Sequence, residues 1–399
     1  MPDPASVGQH MHDAAAEMAR RGWRVLVLAA ARGYDDAARI YPRRERIDGV
    51  DVRRLPLSSF GKASLLHRLV GGGLFLAQAT LHALLVRRVR CVLVSTSPPM
   101  CGILGWLLSI VKRAPLKFWA MDINPDQLVA VGSIGPRSLP ARAFERLNRA
   151  VLRRASDVIA LDRFMAERLE RKLPVAAKTT VIPPWPHIDR VDAVLAHESN
   201  PFRRAHGLDG KFVIMYSGNL SPAHPVGTIL EAARRLERHR ELLFLFIGGG
   251  LGRQEIESFV RRHPAAQVRM LPYQPLAELH RSLSAADVHL VTLGERLVGV
   301  CHPCKIYGAM AVGRPILLVG PQPSHVSDIL EAHPIGWRVG HGDVDGAVAC
   351  IERMLSTDPA SLAAMGARAQ QVVAQRFSRA RLCPAFCDVL ERGARPTAA

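Results

Sequence analysis

Two glycine turns, a lysine set against a helix dipole and four cysteines are the first residues here whose types and spacing could do chemistry. Ser217, Gly218 and Asn219 make one turn, and Gly248, Gly249 and Gly250 the other, each directly after a short apolar run. Glycine at the end of a strand lets backbone N–H groups approach phosphate oxygens, and a following helix presents its positive end to the same anion. A plain turn is the commoner reason for glycine after a strand. Lys305 opens a helical segment rich in small residues that closes on Gly313, Arg314 and Pro315. A cation in a first helical turn opposes the dipole and gains nothing for stability, so a bound anion such as a diphosphate would account for it. Cys301 and Cys304 have the spacing of a redox pair, and Cys383 with Cys387 could add two ligands for zinc. Against both, the first pair lacks a thioredoxin strand context and overlaps the Lys305 loop, while the second lies on an amphipathic helix.

These groups need a scaffold, and the surrounding text is α/β. Short apolar runs alternate with segments of helical period, the pattern of parallel strands joined by helices. Strands are expected at 25–29, 50–55, 91–95, 116–120, 158–161 and 180–182, then at 212–217, 243–247, 268–271, 288–293 and 315–319. Pro183, Pro184 and Pro186 around Trp185 can continue neither element, because proline removes backbone donors and fixes extended chain. A hinge is placed there. The domains are read as 1–185 and 186–375, with 376–399 a closing helix and tail. The chain enters on a loop-like segment feeding a helix at 10–21, so the first strand of a Rossmann half is expected upstream of Met1; a short N-terminus is the alternative.

A chain of 399 residues, 48% hydrophobic and 22% charged, is a folded chain of about two domains. Its formal charge of +18 leans toward the first half, where no acidic residue occurs between Asp51 and Asp122. Such a surface prefers an anionic partner. Only 6% of residues are aromatic, and no RNA-binding aromatic signature, finger spacing or basic zipper is present, so nucleic acid is not the expected partner. The apolar stretches 69–86 and 99–111 are flanked by Arg and Lys, which fits the anionic inner face of a membrane; a buried helix is the other reading of each. The first stretch is broken by Gly71, Gly72, Gly73, Gln78 and His82 and the second is too short, so neither is a good spanning helix. Met1 is followed by Pro-Asp-Pro rather than by a signal peptide, and seven cysteines suit free thiols, so a cytoplasmic location is expected.

Together these features resemble the family 4 glycosyltransferases of the GT-B fold, in which two Rossmann-like domains with parallel sheets face one another. The resemblance is carried by Tyr216-Ser217-Gly218-Asn219, Phe246-Ile247-Gly248-Gly249-Gly250 and Leu271-Pro272-Tyr273-Gln274-Pro275 in the second half. In the first half it rests on residues 2–10 and 96–99, on Trp119-Ala120-Met121-Asp122, on Pro125-Asp126 and on 160–165. Within the family the chain is most similar to bacterial enzymes of O-antigen, capsule and colanic-acid assembly.

The resemblance implies retaining transfer from a nucleotide diphosphate sugar, held by the C-terminal domain, to an acceptor held by the N-terminal domain. It implies no cofactor and no metal, with basic groups and helix ends stabilising the departing diphosphate. Lys305, Arg253, Gly218, Asn219, Gly249 and Gly250 would do so, with Tyr273 and Gln274 facing the base. Many members carry two glutamates eight positions apart; Val300 and Gly308 stand there instead, and Glu295 is the candidate to replace the first. His224 stands where a basic residue is often found. Many members also place a His-Asp pair in the acceptor domain. Met121-Asp122 takes its place, and Asp122 or Asp126 would orient an acceptor hydroxyl or take its proton. A helix cap or turn residue is the structural alternative for Asp122. The expected acceptor is a polyprenyl-diphosphate-linked glycan. An epimerase or phosphorylase of the same fold, or a non-catalytic membrane-associated partner, are the alternatives.

Overall fold

Residues 6–33, 40–56, 65–96, 100–187 and 195–394 are described by the structure, a computed structural model. Of the stretches that carry the resemblance, residues 2–5 and 97–99 lie outside the described residues.

The chain alternates as its text suggests. The first series runs α1 (Ser6–Arg20), β1 (Leu26–Ala30), β2 (Arg44–Ile47), β3 (Val50–Leu55), α2 (Leu65–Leu84), β4 (Val92–Ser95), α3 (Cys101–Val111), β5 (Leu116–Trp119), α4 (Asp126–Ala130), α5 (Leu139–Arg154), β6 (Asp157–Ala160), α6 (Arg163–Lys172) and β7 (Thr179–Val181). The second runs α7 (Pro201–Ala205), β8 (Phe212–Ser217), α8 (Gly227–Arg235), β9 (Leu242–Ile247), α9 (Arg253–Arg262), β10 (Val268–Leu271), α10 (Leu279–Ser284), β11 (Val288–Thr292), α11 (Lys305–Ala311), β12 (Ile316–Val319), α12 (His325–Ala332), β13 (Gly336–Val339), α13 (Val344–Ser356) and α14 (Pro359–Val372). A π turn over Val373–Phe377 then leads to α15 (Arg379–Glu391). The expected strands all form, and the sequence reading overlooked two.

β2 was hidden by its charge, since Arg44, Glu45 and Arg46 belong to an antiparallel edge strand open to water on one face. Its signal lies in the next two residues: Asp48 and Gly49 take positive φ of 48° and 81°, the tight hairpin turn that an Asp-Gly pair favours. β13 opens on Gly336, where a Cβ would stand 1.9 Å from the Ile316 carbonyl oxygen, so only glycine lets the two backbones meet.

The chain divides into two compact units, one of residues 1–184 together with 379–399 and one of residues 185–378. In the first unit β4, β5, β6 and β7 form a parallel sheet in that order, while β1, β3 and β2 form a second, separate sheet. The closing helix α15 belongs to this unit. Arg21 donates to Asp388 at 2.7 Å and to Glu391 at 2.9 Å, and the Trp119 and Phe386 rings meet edge to face at 5.0 Å. The fully buried Lys117 on β5 donates to Asp157 at 2.5 Å and to the Arg392 carbonyl at 2.6 Å.

The second unit is a single parallel sheet of order β10-β9-β8-β11-β12-β13. Its central strands are apolar throughout because both faces are covered. On β9, Leu242, Phe244 and Phe246 enter the core on one side, and Leu243, Leu245 and Ile247 the core on the other. The strand order reverses between β8 and β11, and the carboxyl ends at such a reversal are where open α/β sheets bind ligands.

Candidate active site

At that reversal the two glycine turns interlock. Gly218 N–H donates to the Ile247 carbonyl at 2.9 Å, and Leu220 N–H to the Gly249 carbonyl at 2.7 Å. A Cβ on Gly248 would lie 2.0 Å from the Gly218 oxygen, and one on Gly250 would lie 2.4 Å from the Leu220 oxygen and from Asn219 Oδ1. Gly218, Gly248 and Gly250 also hold φ of 142°, 142° and 116°, which a side chain resists. Gly248 and Gly250 are thus required by backbone contact alone. Gly249 differs: its φ is ordinary and its nearest neighbour is the half-exposed Tyr273 ring, 3.2 Å from where a Cβ would be.

Lys305 comes to the same place from the start of α11. Its ammonium donates to the Tyr216 hydroxyl at 3.0 Å and lies 4.5 Å from the centre of that ring, and its Cε would be 3.4 Å from a Cβ on Gly218. Tyr216 passes its own proton to the Asn219 carbonyl at 2.7 Å. Among the described residues no carboxylate lies within ion-pair distance of Lys305. Burial without a counter-charge lowers its pKa from 10.5 to about 8. A cation held this way has affinity to spare for an anion.

The other expected donor-side residues surround this point to different degrees. Arg253 begins α9 and is engaged by Glu257 at 2.6 Å. Tyr273 reaches toward the Gly249 carbonyl at 3.5 Å, and Gln274 bonds back to the Pro272 carbonyl at 2.9 Å. Glu295 is exposed in the loop after β11, on the reversal side of the sheet. His224 is no cation. Its Nδ1 donates to the Thr292 carbonyl at 2.7 Å, and burial, reinforced by the Lys305 charge, drives its pKa to about 3.

The place of the second glutamate is taken by Gly308, where a Cβ would come 3.3 Å from Leu283 Cδ1. Nearby, the Tyr307 hydroxyl joins His302 Nε2 and His325 Nε2, each at 2.8 Å. Sequence reading missed this trio and Tyr216. The only available signal was that His302, Tyr307 and His325 stand close to Lys305 and to the end of β12. All seven cysteines are free thiols, and Cys304 Sγ contacts the His302 carbonyl at 3.4 Å.

In the first unit, Asp122 follows β5. Thr96 Oγ1 accepts from the N–H groups of Met121 and Asp122 at 3.0 and 2.9 Å, tying this loop to the end of β4. Asp122 does not cap the next helix, which starts at Asp126 after Pro125. Asp126 is already neutralised, by Arg168 at 2.8 Å and Lys172 at 2.6 Å, both from α6.

The apolar stretches form α2 and α3, which pack on one another, and no helix among the described residues is long and apolar enough to cross a membrane.

Residues 6–185 match the family described as a glycosyl transferase 4-like domain, and residues 198–372 match the glycosyl transferases group 1. The chain is a glycosyltransferase of the GT-B fold. Curated relatives of this transferase include the probable glycosyltransferase WbjE of Pseudomonas aeruginosa, 28% identical over 73% of this chain and 72% of that protein. The putative colanic acid biosynthesis glycosyl transferase WcaI of Escherichia coli K12 is 25% identical over 89% of each chain. Among solved structures, Anabaena Alr3699/HepE in complex with UDP-glucose superposes on the glycosyltransferase with a TM-score of 0.71 at 18% identity, over 98% of this chain and 97% of that one. Sucrose-phosphate synthase from Thermosynechococcus elongatus gives 0.75 at 16% identity, over 96% and 92%.

Proposed function

We propose that this glycosyltransferase moves a sugar from a nucleotide diphosphate sugar to a polyprenyl-diphosphate-linked glycan in cell-surface polysaccharide synthesis, with retention at the anomeric carbon. The observation that carries the donor is Lys305, a partly buried ammonium at the strand reversal with no carboxylate beside it among the described residues. A diphosphate there supplies the missing counter-charge, and the Gly218 and Gly249 turns offer backbone N–H groups to its oxygens. As the glycosidic bond to the diphosphate breaks, negative charge grows on the leaving group. Lys305 then gains more in the transition state than in the ground state, which is what accelerates a reaction. No resident metal and no cofactor enter this reading. Asp122 orients the acceptor hydroxyl or takes its proton.

The relatives' printed names support the polysaccharide setting, and UDP-glucose in the Anabaena protein supports a nucleotide-sugar donor. Thermal unfolding with UDP-, GDP- and dTDP-sugars tests the reading. One donor should raise the melting temperature by several degrees at saturating concentration, and Lys305→Met should abolish the rise. No response to any nucleotide sugar in the wild type would sink the assignment. Release of an epimerised nucleotide sugar or a sugar 1-phosphate in place of a glycosylated acceptor would replace it with one of the other chemistries of the fold.

A further inference from the structure

Tyr216 stands one residue before the end of β8, its ring 6.1 Å from that of Phe246 and without exposed surface. A phenylalanine would fill that space as well. The hydroxyl is the part that needs a reason, since a polar group taken out of water costs free energy unless it is paired. It is paired twice. A carbonyl can only accept, so the hydroxyl proton goes to the Asn219 oxygen at 2.7 Å, and its lone pairs receive the Lys305 ammonium at 3.0 Å. One oxygen therefore joins the first glycine turn to the lysine.

The two bonds are not equal in need. Asn219 is exposed, and its carbonyl would find water without the tyrosine. Lys305 is partly buried, and among the described residues its hydrogen bond goes to Tyr216 alone, which leaves two N–H groups of the ammonium for a ligand. The ring face adds to the hold, with the ammonium 4.5 Å above its centre. Tyr216 is itself no ligand for a diphosphate, because its one proton is committed to Asn219 and its lone pairs would repel phosphate oxygens. Burial, reinforced by Tyr273, raises its pKa, so it does not ionise to become a counter-charge. The other titratable groups within electrostatic reach of the lysine are Cys301 and Cys304 from the loop before α11 and the neutral His224 from the loop after β8.

We infer that the Tyr216 hydroxyl is the positioning group of the donor site, holding the Lys305 ammonium toward the diphosphate and fixing it to the Gly218 turn, whose N–H groups meet the same anion. The inference rests on the reading of Lys305 as the diphosphate's cation. Tyr216 acts through that lysine and not on the substrate. Because the same oxygen grips the turn, ammonium and backbone donors keep a set spacing before any ligand arrives, and less order has to be bought on binding.

Tyr216→Phe keeps the ring and removes only the hydroxyl. A hydrogen bond to a charged group favours its charged form, so losing this one lets Lys305 give up its proton at lower pH. The test is calorimetric titration of the full chain with UDP, GDP and dTDP, following across pH the one that binds the wild type. The decline in affinity that begins near pH 8 in the wild type should begin up to about one unit lower in Tyr216→Phe, with binding at pH 8 weaker by up to about tenfold. A second measurement needs no ligand. At pH 7, Tyr216→Phe should lower the melting temperature of the free protein by more than it does in the Lys305→Met background, where no ammonium is left unpaired. A decline that begins at the wild-type pH, a loss of affinity equal at every pH, or an equal cost in the two backgrounds would each overturn the inference. Failure of all three nucleotides to bind the wild type would strike the diphosphate reading instead, and the comparison of melting temperatures would still decide whether Tyr216 holds Lys305.

Discussion

Lys305 shows how one side chain can report on a ligand. With a pKa of about 8 in the free protein, its ammonium begins to lose its proton just above neutrality. A bound diphosphate favours the charged form and raises the pKa, so binding above pH 8 must draw a proton from solvent. The diphosphate of a nucleotide sugar is already fully ionised there, which leaves the lysine as the titrating group. Affinity for the donor should be flat below pH 8 and fall by up to about tenfold per unit above it, with proton uptake visible when calorimetry is repeated in buffers of different ionisation heat. In Lys305→Met the slope should vanish, and an unchanged slope would count against Lys305. The same residue taxes the unliganded fold. Below pH 8 the lysine is charged in both folded and unfolded states, and the folded state bears a penalty on the order of 1–3 kcal/mol, which fades as pH rises toward 10.5. Lys305→Met should therefore raise the melting temperature of the free protein at pH 7, and by less at pH 10.

Among the elements, α15 carries the least expected role. Its apolar face includes Phe386, 1% exposed against Trp119, and Cys387, fully buried, while Arg21, Asp388 and Glu391 bind its outer edge to α1. Exposed ion pairs contribute little, and a buried aromatic contributes much. Phe386→Ala should destabilise the first unit by about 3–5 kcal/mol, measured by urea or thermal unfolding, with the nucleotide-sugar response of the second unit retained. A variant as stable as the wild type would show that α15 is held by its charges. The glycine turns make a related point. Gly248 and Gly250 are needed because two loops touch, and Gly249 is the one of the three without that constraint.

The net charge of +18 takes on a shape in the whole molecule. At the carboxyl ends of α2 and α3, Leu81 and Leu85 are 64% and 80% exposed, Ile110 and Val111 are exposed beside them, and Lys112 Nζ joins the two ends through the Leu84 carbonyl at 2.6 Å. Arg87, Arg88, Arg90 and Arg113, all exposed, follow these helix ends in the chain. These segments lead straight into β4 and β5, so the tip lies at the amino-terminal edge of that sheet, away from the Asp122 loop. Contact with an anionic bilayer through it would leave that loop uncovered, with each basic residue worth about 1 kcal/mol near the surface. Flotation on phosphatidylglycerol vesicles, but not on phosphatidylcholine, is the expected outcome, weakened by salt and by Leu81→Glu with Leu85→Glu. Equal flotation on both lipids, or none on either, would count against membrane contact through this tip.

From the chain alone, the strands, the glycine turns and the place of Lys305 at the start of its helix were legible, because secondary structure and turn chemistry are written in short-range patterns. β2 escaped because an edge strand open to water need not be apolar, although Asp48 and Gly49 marked its turn. Whether a charged or polar group is paired depends on residues far away in sequence, and only the tertiary structure decides it. Asp126 looked equivalent to Asp122 until α6 brought Arg168 and Lys172 to it. His224 stands where a basic residue is often found, and only its burial shows that it is neutral.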